Sequence, residues 1–137
     1  MFMSRLQTPV VVVIIGEGCS GGALGMGVGD VIGMLEHSYY SVISPEGCAS
    51  ILWKDSSKRQ EACAKLKPNS EDLLELGLID DIIKEPLGGA HHNPTETYDA
   101  VRRYIVDKCA YLRRIPADLL IENRYQKFRK MGQFEIL

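Results

Sequence analysis

The residues best suited to do chemistry crowd into one turn, residues 16–22, between an apolar run at 10–15 and the pair Ala23 and Leu24. Three chemistries overlap there. Gly16-x-Gly18-x-x-Gly21 spells a dinucleotide fingerprint, with Glu36 after the next strand as a ribose-binding acid. Gly18-x-Ser20-x-Gly22 spells a nucleophile elbow, with Asp80 or Asp81 and then His91 or His92 following in triad order. The third chemistry needs no side chain. The consecutive amides of Gly21 and Gly22, at the start of a helix, can both point at one oxygen. A Cβ at either position would crowd a bound planar group. Loss of one such donor costs an oxyanion roughly 3 kcal/mol. Ser20 then reads as the helix cap rather than as a nucleophile.

Strand-to-helix punctuation must position this turn. Residues 10–15 are apolar on both faces, the pattern of an inner strand in a parallel sheet, and Pro9 sits where its missing amide is tolerated. A helix over 20–29 carries Gly25, Gly27 and Gly29, each costing about 1 kcal/mol relative to alanine, which points to close backbone packing. That helix is too short and glycine-rich for the usual dinucleotide crossover. Strands are expected at 31–35 and 41–43. Ser44 and Pro45 open a helix with Ala49, Ile51, Leu52 and Trp53 on its apolar face. A further helix over 57–66 turns Ala62, Cys63 and Leu66 inward. Ser70 is expected to cap 71–76, with Gly77 in the left-handed position beyond it, and 78–83 reads as an edge strand. Asn93, Pro94 and Glu96 spell an approximate capping box for a long helix with the stripe Val101, Ile105, Cys109 and Leu112. A last helix over 117–131 turns Leu120, Ile121, Tyr125 and Phe128 inward and stops at Gly132.

The 137 residues suit one α/β domain, with a core over 1–92 and a helical region over 93–137. A net charge of -2 offers no reason to expect nucleic acid. The basic residues gather between 102 and 130, Arg124 and Lys127 among them, and at helical spacing they read as a solvated face. Cys19, Cys48, Cys63 and Cys109 form no C-x-x-C pair, so buried thiols are expected rather than zinc or a disulfide framework, and no metal site is expected. No apolar stretch is long enough to span a bilayer.

Residues 16–24, 27–30 and 34–55 together closely resemble the carboxyltransferase alpha subunit of multi-subunit acetyl-CoA carboxylase. The resemblance continues through 73–83, 85–91 and 124–132, and the unbroken match from Ser41 to Asp55 is far more specific than any glycine motif. The family has a glycine before the serine of the turn, where this chain has Cys19.

The resemblance implies the C-terminal part of a longer subunit with a crotonase-like (ClpP/crotonase) core of β-β-α units and C-terminal helices. It implies transfer of a carboxyl group from carboxybiotin to acetyl-CoA, giving malonyl-CoA for fatty acid biosynthesis, with ATP used elsewhere in the complex. Gly21 and Gly22 would hold the ureido oxygen of biotin, and Gly18 would border the same pocket. A carboxyltransferase beta subunit would stabilise the acetyl-CoA enolate across a two-subunit site, and a biotin carboxyl carrier protein would deliver the biotin. The resemblance thus implies a hetero-oligomer in a bacterial cytoplasm or plastid stroma, inactive without its beta subunit. A structural partner that binds the beta subunit without turnover is the non-enzymatic reading of the same residues, and a serine hydrolase using Ser20 is a third.

Overall fold

A computed structural model describes residues 2–132. After a 3-10 turn at Met3–Arg5, the chain forms β1 (Val11–Ile14), β2 (Glu17–Cys19), α1 (Ser20–Met26), β3 (Val31–Leu35), β4 (Tyr39–Ser41) and α2 (Pro45–Trp53). A second 3-10 turn at Ser56–Lys58 leads into α3 (Arg59–Leu66), followed by α4 (Ser70–Glu75), β5 (Asp81–Ile83), α5 (Pro94–Leu112) and α6 (Ala117–Arg129). Strands β1, β3 and β5 form a parallel sheet in the order β1-β3-β5, and β2 pairs with β4 in a separate two-stranded parallel sheet.

The expected inner strand at 10–15 is a strand, but it lies at the edge of this sheet. The inner strand is β3, buried at every residue. Its alternating side chains feed two layers. Ile32 and Met34 pack with Ile14, Leu73 and Ile79 on one face. Val31 packs with Leu112 and Leu120 on the other, where α5 and α6 lie. Gly33 lets α5 come close, because a Cβ there would stand 2.6 Å from the Tyr104 ring. Tyr104 donates to Asp81 at 2.9 Å, and Lys108 pairs with the same carboxylate oxygen at 2.8 Å. Burial and this hydrogen bond push the Tyr104 phenol far above its ordinary range, so it stays a donor. A third cluster joins α2 to α3 through Cys48, Ala49 and Ala62.

The local caps form as written. Ser44 accepts from the Gly47 amide, Asn93 accepts from the Glu96 amide, and Gly77 takes φ +68°. Other expectations are corrected. Ser70 caps nothing; it is the buried first residue of α4, and its hydroxyl donates to the Glu36 carbonyl at 2.7 Å. The strand expected at 41–43 lies at Tyr39–Ser41, because β4 must run alongside β2, with Gly18 opposite Tyr40. On α5, Ile105 is exposed, whereas Thr97 and Tyr104 face inward with Leu112. On α6, Tyr125 is exposed and Arg124 is buried, so the basic stretch is not a uniformly solvated face.

Arg124 is 1% exposed, and all five of its N–H donors are used. Nε donates to Asp30 Oδ1 at 2.8 Å and Nη2 to Asp30 Oδ2 at 2.7 Å. The remaining donors reach the carbonyls of Met3, Leu6 and Thr8 at 2.8, 3.1 and 3.0 Å. Asp30 Oδ2 also accepts from the Val10 amide at 2.7 Å. One side chain on the last helix therefore ties down the N-terminal segment and the entry to β3. Removing one partner of a buried pair leaves an uncompensated charge, at a cost of about 3–5 kcal/mol. Arg124→Met should lower unfolding stability by that amount. Arg124→Lys should recover little of it, because an ammonium has three donors and no planar fork. Urea denaturation checks both, and a loss below about 1 kcal/mol for Arg124→Met would contradict this role.

At the other end of the sheet, Glu36 accepts from Lys84 at 2.6 Å and from the Glu85 amide at 3.3 Å. The Lys84 hydrogen bond, then the amide, hold its carboxyl below the ordinary value of 4.5. A depressed folded value means that the linked stability is fully present above about pH 4.5 and is lost as pH falls through the folded value. Glu36→Gln should therefore flatten the acid limb of the stability-versus-pH curve, losing the linked contribution at neutral pH and converging on the parent as pH falls through the folded value. An unaltered acid limb in thermal melts across that range would count against it.

Candidate functional site

The glycine turn joins the two sheets. After β1 the chain exposes Ile15, and the Gly16 carbonyl accepts from the Tyr39 amide at 2.9 Å. Strand β2 then runs beside β4 and delivers the chain to α1. Ser20 carries the strain of the corner, with φ +63°, a left-handed conformation that costs a non-glycine residue about 1–2 kcal/mol. Cys19 is extended at φ -138°, so a side chain there meets no backbone penalty. The strain therefore falls at Ser20 and not at Cys19.

Ser20 is the first residue of α1, not its cap; the cap position is Cys19, and no side chain caps the helix. The amides of Gly21 and Gly22 lie in the uncapped first turn, where helical amides have no partner within the helix. Neither glycine has a positive φ, and a Cβ on either would meet nothing within 4 Å. Gly16 and Gly25 are equally open, whereas three other glycines of the region are not. A Cβ on Gly18 would stand 2.9 Å from the Tyr40 ring, one on Gly27 would collide with the Tyr40 hydroxyl, and one on Gly29 would stand 2.8 Å from Val12. Gly18, Gly27 and Gly29 are thus explained by packing, whereas nothing within the chain requires glycine at 21 or 22. A helix that accepts about 1 kcal/mol per glycine there keeps open space in front of two free amides.

A cleft of about 270 Å³ lies between β1 and the underside of α1, lined by Val12, Ile14, Gly16, Gly18, Ala23 and Tyr40 among others. A larger hollow of about 650 Å³ runs along the polar outer face of α5, between Asn93 and Asp107, and does not touch the glycine turn. An oxyanion site requires free backbone donors rather than volume, and the first turn of α1 has amides without a side-chain cap.

The elbow partners do not converge on Ser20. Asp80 is ion-paired with Lys127 and accepts from the Ile32 amide. Asp81 is held by Tyr104 and Lys108. His91 and His92 lie against each other, ring centres 4.5 Å apart, in the loop after β5. Among the described residues, the Ser20 hydroxyl has no hydrogen-bonding partner, so the structure gives a serine nucleophile no base. The dinucleotide reading also fails locally, because β2 intervenes between β1 and a helix of only seven residues.

Around the turn, Glu17 and His37 are exposed, and Glu46 faces Arg59 at 3.8 Å on the surface. Trp53 belongs to the α2–α3 cluster. Glu17 belongs to the turn itself, and Tyr40 reaches it from β4. Its ring lies against Gly18, and its hydroxyl points to the Ala23 carbonyl of α1 at 3.4 Å. The hydrophobic pattern alone leaves core packing and subunit contact both open for Tyr40; the signal that singles it out is the pair of glycines, Gly18 and Gly27, that make room for it. Among the described residues, no group of three or more His, Cys, Asp or Glu could hold a metal, and no helix is long and apolar enough to cross a membrane.

The model of the family described as acetyl co-enzyme A carboxylase carboxyltransferase-like matches residues 1–132. The acetyl-coenzyme A carboxylase carboxyl transferase subunit alpha of Protochlamydia amoebophila is 67% identical over 132 residues, covering 96% of this chain and 42% of that protein. The subunit of the same name from Chlamydia trachomatis serovar L2 is 59% identical over 133 residues, covering 97% of this chain and 41% of that one. The chain thus spans about two fifths of the length of these curated relatives. Among solved structures, transcarboxylase 12S, with hydrolysed methylmalonyl-coenzyme A bound, superposes with a TM-score of 0.57 at 16% identity, over 98% of this chain and 21% of that one. That likeness is one of fold.

The two classes of glycine should behave oppositely when replaced. Gly33→Ala drives a methyl into Tyr104 and should destabilise the chain by about 1–3 kcal/mol through overpacking. Gly22→Ala should leave stability unchanged or raise it by up to about 1 kcal/mol, because alanine suits a helix and nothing opposes its Cβ. Thermal melts of the two variants decide; comparable losses in both would mean that Gly22 is a packing glycine.

Proposed function

The chain belongs to the acetyl co-enzyme A carboxylase carboxyltransferase-like family, and on that premise we propose that it is the alpha-subunit half of a carboxyltransferase site. In this reading it takes part in moving a carboxyl group from carboxybiotin to acetyl-CoA, and the product is malonyl-CoA. The observation that carries the reading is the pair Gly21 and Gly22. Their amides lack a side-chain cap, their Cβ positions are open, and nothing in the chain's own packing accounts for them.

The mechanism asked of this chain is electrostatic. Biotin, tethered to a separate carrier protein, supplies the carboxyl group. The amides of Gly21 and Gly22 would hold its ureido oxygen and would stabilise negative charge there. Gly18 borders the same space from β2. Open Cβ space at 21 and 22 suits a flat bicyclic group approaching the backbone closely, which is the fit that biotin requires. The enolate of acetyl-CoA forms against a second set of donors on a beta subunit, so the complete site is a hetero-oligomer. The parallel sheet with flanking helices is then the crotonase-like core, residues 1–92, and 93–137 its helical region, of which 133–137 lie outside the described residues. The cytoplasm or a plastid stroma is the matching compartment.

Reconstitution tests the proposal: the chain is mixed with a carboxyltransferase beta subunit, carboxybiotin and acetyl-CoA, and both assembly size and malonyl-CoA are followed. Turnover is expected only in the mixture. Gly22→Val keeps the amide but fills the open space before it, so it should lower turnover by about 10²–10³-fold, as much as losing an oxyanion donor, whereas Ser20→Ala should retain most of it. Turnover by the chain alone would refute the two-subunit site. Assembly without turnover would favour the structural partner, and loss of activity in a folded, assembled Ser20→Ala variant would favour the serine.

A further inference from the structure

We infer that Tyr40 is the positioning residue of the glycine turn, a wedge that sets where α1 and its first-turn amides point. The inference rests on the proposed role of that turn and extends it to a side chain outside the turn. Helix α1 has few anchors of its own. It is seven residues long, its cap position makes no side-chain hydrogen bond, and Leu24 and Met26 are 53% and 75% exposed. Its entry is strained at Ser20, and such strain persists only where surrounding contacts over-determine it.

Tyr40 supplies those contacts at both ends of the helix. In the register of the small sheet it stands opposite Gly18, and its ring fills the space that a side chain at 18 would take. Its hydroxyl lies against Gly27, just past the end of α1, and against the Ala23 carbonyl in between. Its own backbone is held by the Pro68 carbonyl at 3.1 Å, and its ring packs on the Ile14–Ile32–Met34 core. The glycine turn is therefore referenced through one ring to the main sheet. Burial raises the phenol above its ordinary value, so the hydroxyl remains protonated. At 3.4 Å the hydrogen bond to Ala23 is long, and ring shape carries more of the constraint than the bond does. Reacting groups must be held to within about 0.5 Å, and a misplacement of about 1 Å can cost 10²-fold in rate.

Two readouts separate positioning from general stability. In the full chain, hydrogen exchange is measured at the α1 amides and at those of β3. Tyr40→Ala should speed exchange in α1 at least ten-fold while β3 stays protected. In the reconstituted complex it should lower kcat about 100-fold with KM for acetyl-CoA unchanged, and Tyr40→Phe should lower kcat only a few-fold. The second test uses the hydroxyl contact. Gly27→Ala alone drives a methyl into that hydroxyl, so it should loosen α1; Gly27→Ala with Tyr40→Phe removes the clash and should restore most of the protection. Unchanged α1 exchange in Tyr40→Ala overturns the inference, as does a double variant no better than Gly27→Ala. If Tyr40→Ala loosens β3 as well, the restoration in the double variant decides by the same criterion. A parent complex that makes no malonyl-CoA counts against the carboxyl-transfer reading alone, since exchange needs no turnover.

Discussion

The buried fork of Arg124 on Asp30 is the constraint from which the rest of the architecture hangs. Among the described residues, the main sheet has three strands and the segment before β1 forms no strand. Five donors on one guanidinium fasten that segment by three carbonyls and the β3 entry by one carboxylate. Lys127, one turn further along α6, continues the fastening: it donates to the Asp30 carbonyl and pairs with Asp80. Asp30 and Asp80 each return a carboxylate oxygen to a backbone amide, at Val10 and Ile32. The entries of all three main strands are thus held by two acids and two bases. Such pairs are costly to desolvate, so satisfaction of every donor is what makes the arrangement tenable. Among the described residues, no buried side-chain polar atom is left without a partner.

With the strand entries locked at one end, the glycine turn at the other end of β1 has a fixed foundation. Two kinds of glycine meet there and are told apart by what stands in front of them. Gly18, Gly27 and Gly29 let other atoms in, chiefly the Tyr40 ring and Val12. Gly21 and Gly22 let nothing of this chain in. The first kind makes the corner compact. The second leaves uncapped amides with open space beside them, at the expense of helix stability.

The same side of the molecule is open in another sense. The outer edge of β1 has no strand partner among the described residues, Ile15 at its end is 70% exposed, and the cleft beneath α1 has β1 as its other wall. An unpaired edge beside an apolar, sparsely anchored helix is the kind of surface that another polypeptide covers.

What the sequence determined by itself is local. Asn93, Pro94 and Glu96 start α5, Ser44 and Pro45 start α2, and Gly77 ends α4, because each partner lies within four residues and competes with nothing distant. The strand pattern at 31–35 and the turn at 16–22 were legible for the same reason, and the long match from Ser41 to Asp55 identified the family. Tertiary structure decided whatever depended on a partner far along the chain. Arg124 reads as a surface base until it meets Asp30, 94 residues away, and Ser70 reads as a cap until it meets the Glu36 carbonyl, 34 residues away. Residues 10–15 carry the two-faced apolarity of an inner strand, yet the strand order puts β3 between its neighbours and β1 at the edge. Tyr40 and Phe128 look alike in a hydrophobic pattern; only the approach of Gly18 and Gly27 to one of those rings shows which aromatic holds the turn. Patterns spaced by a few residues encode hydrogen bonds that any conformation of that segment can make, whereas charge burial, sheet order and ring-on-glycine packing exist only after chain closure has brought distant segments together.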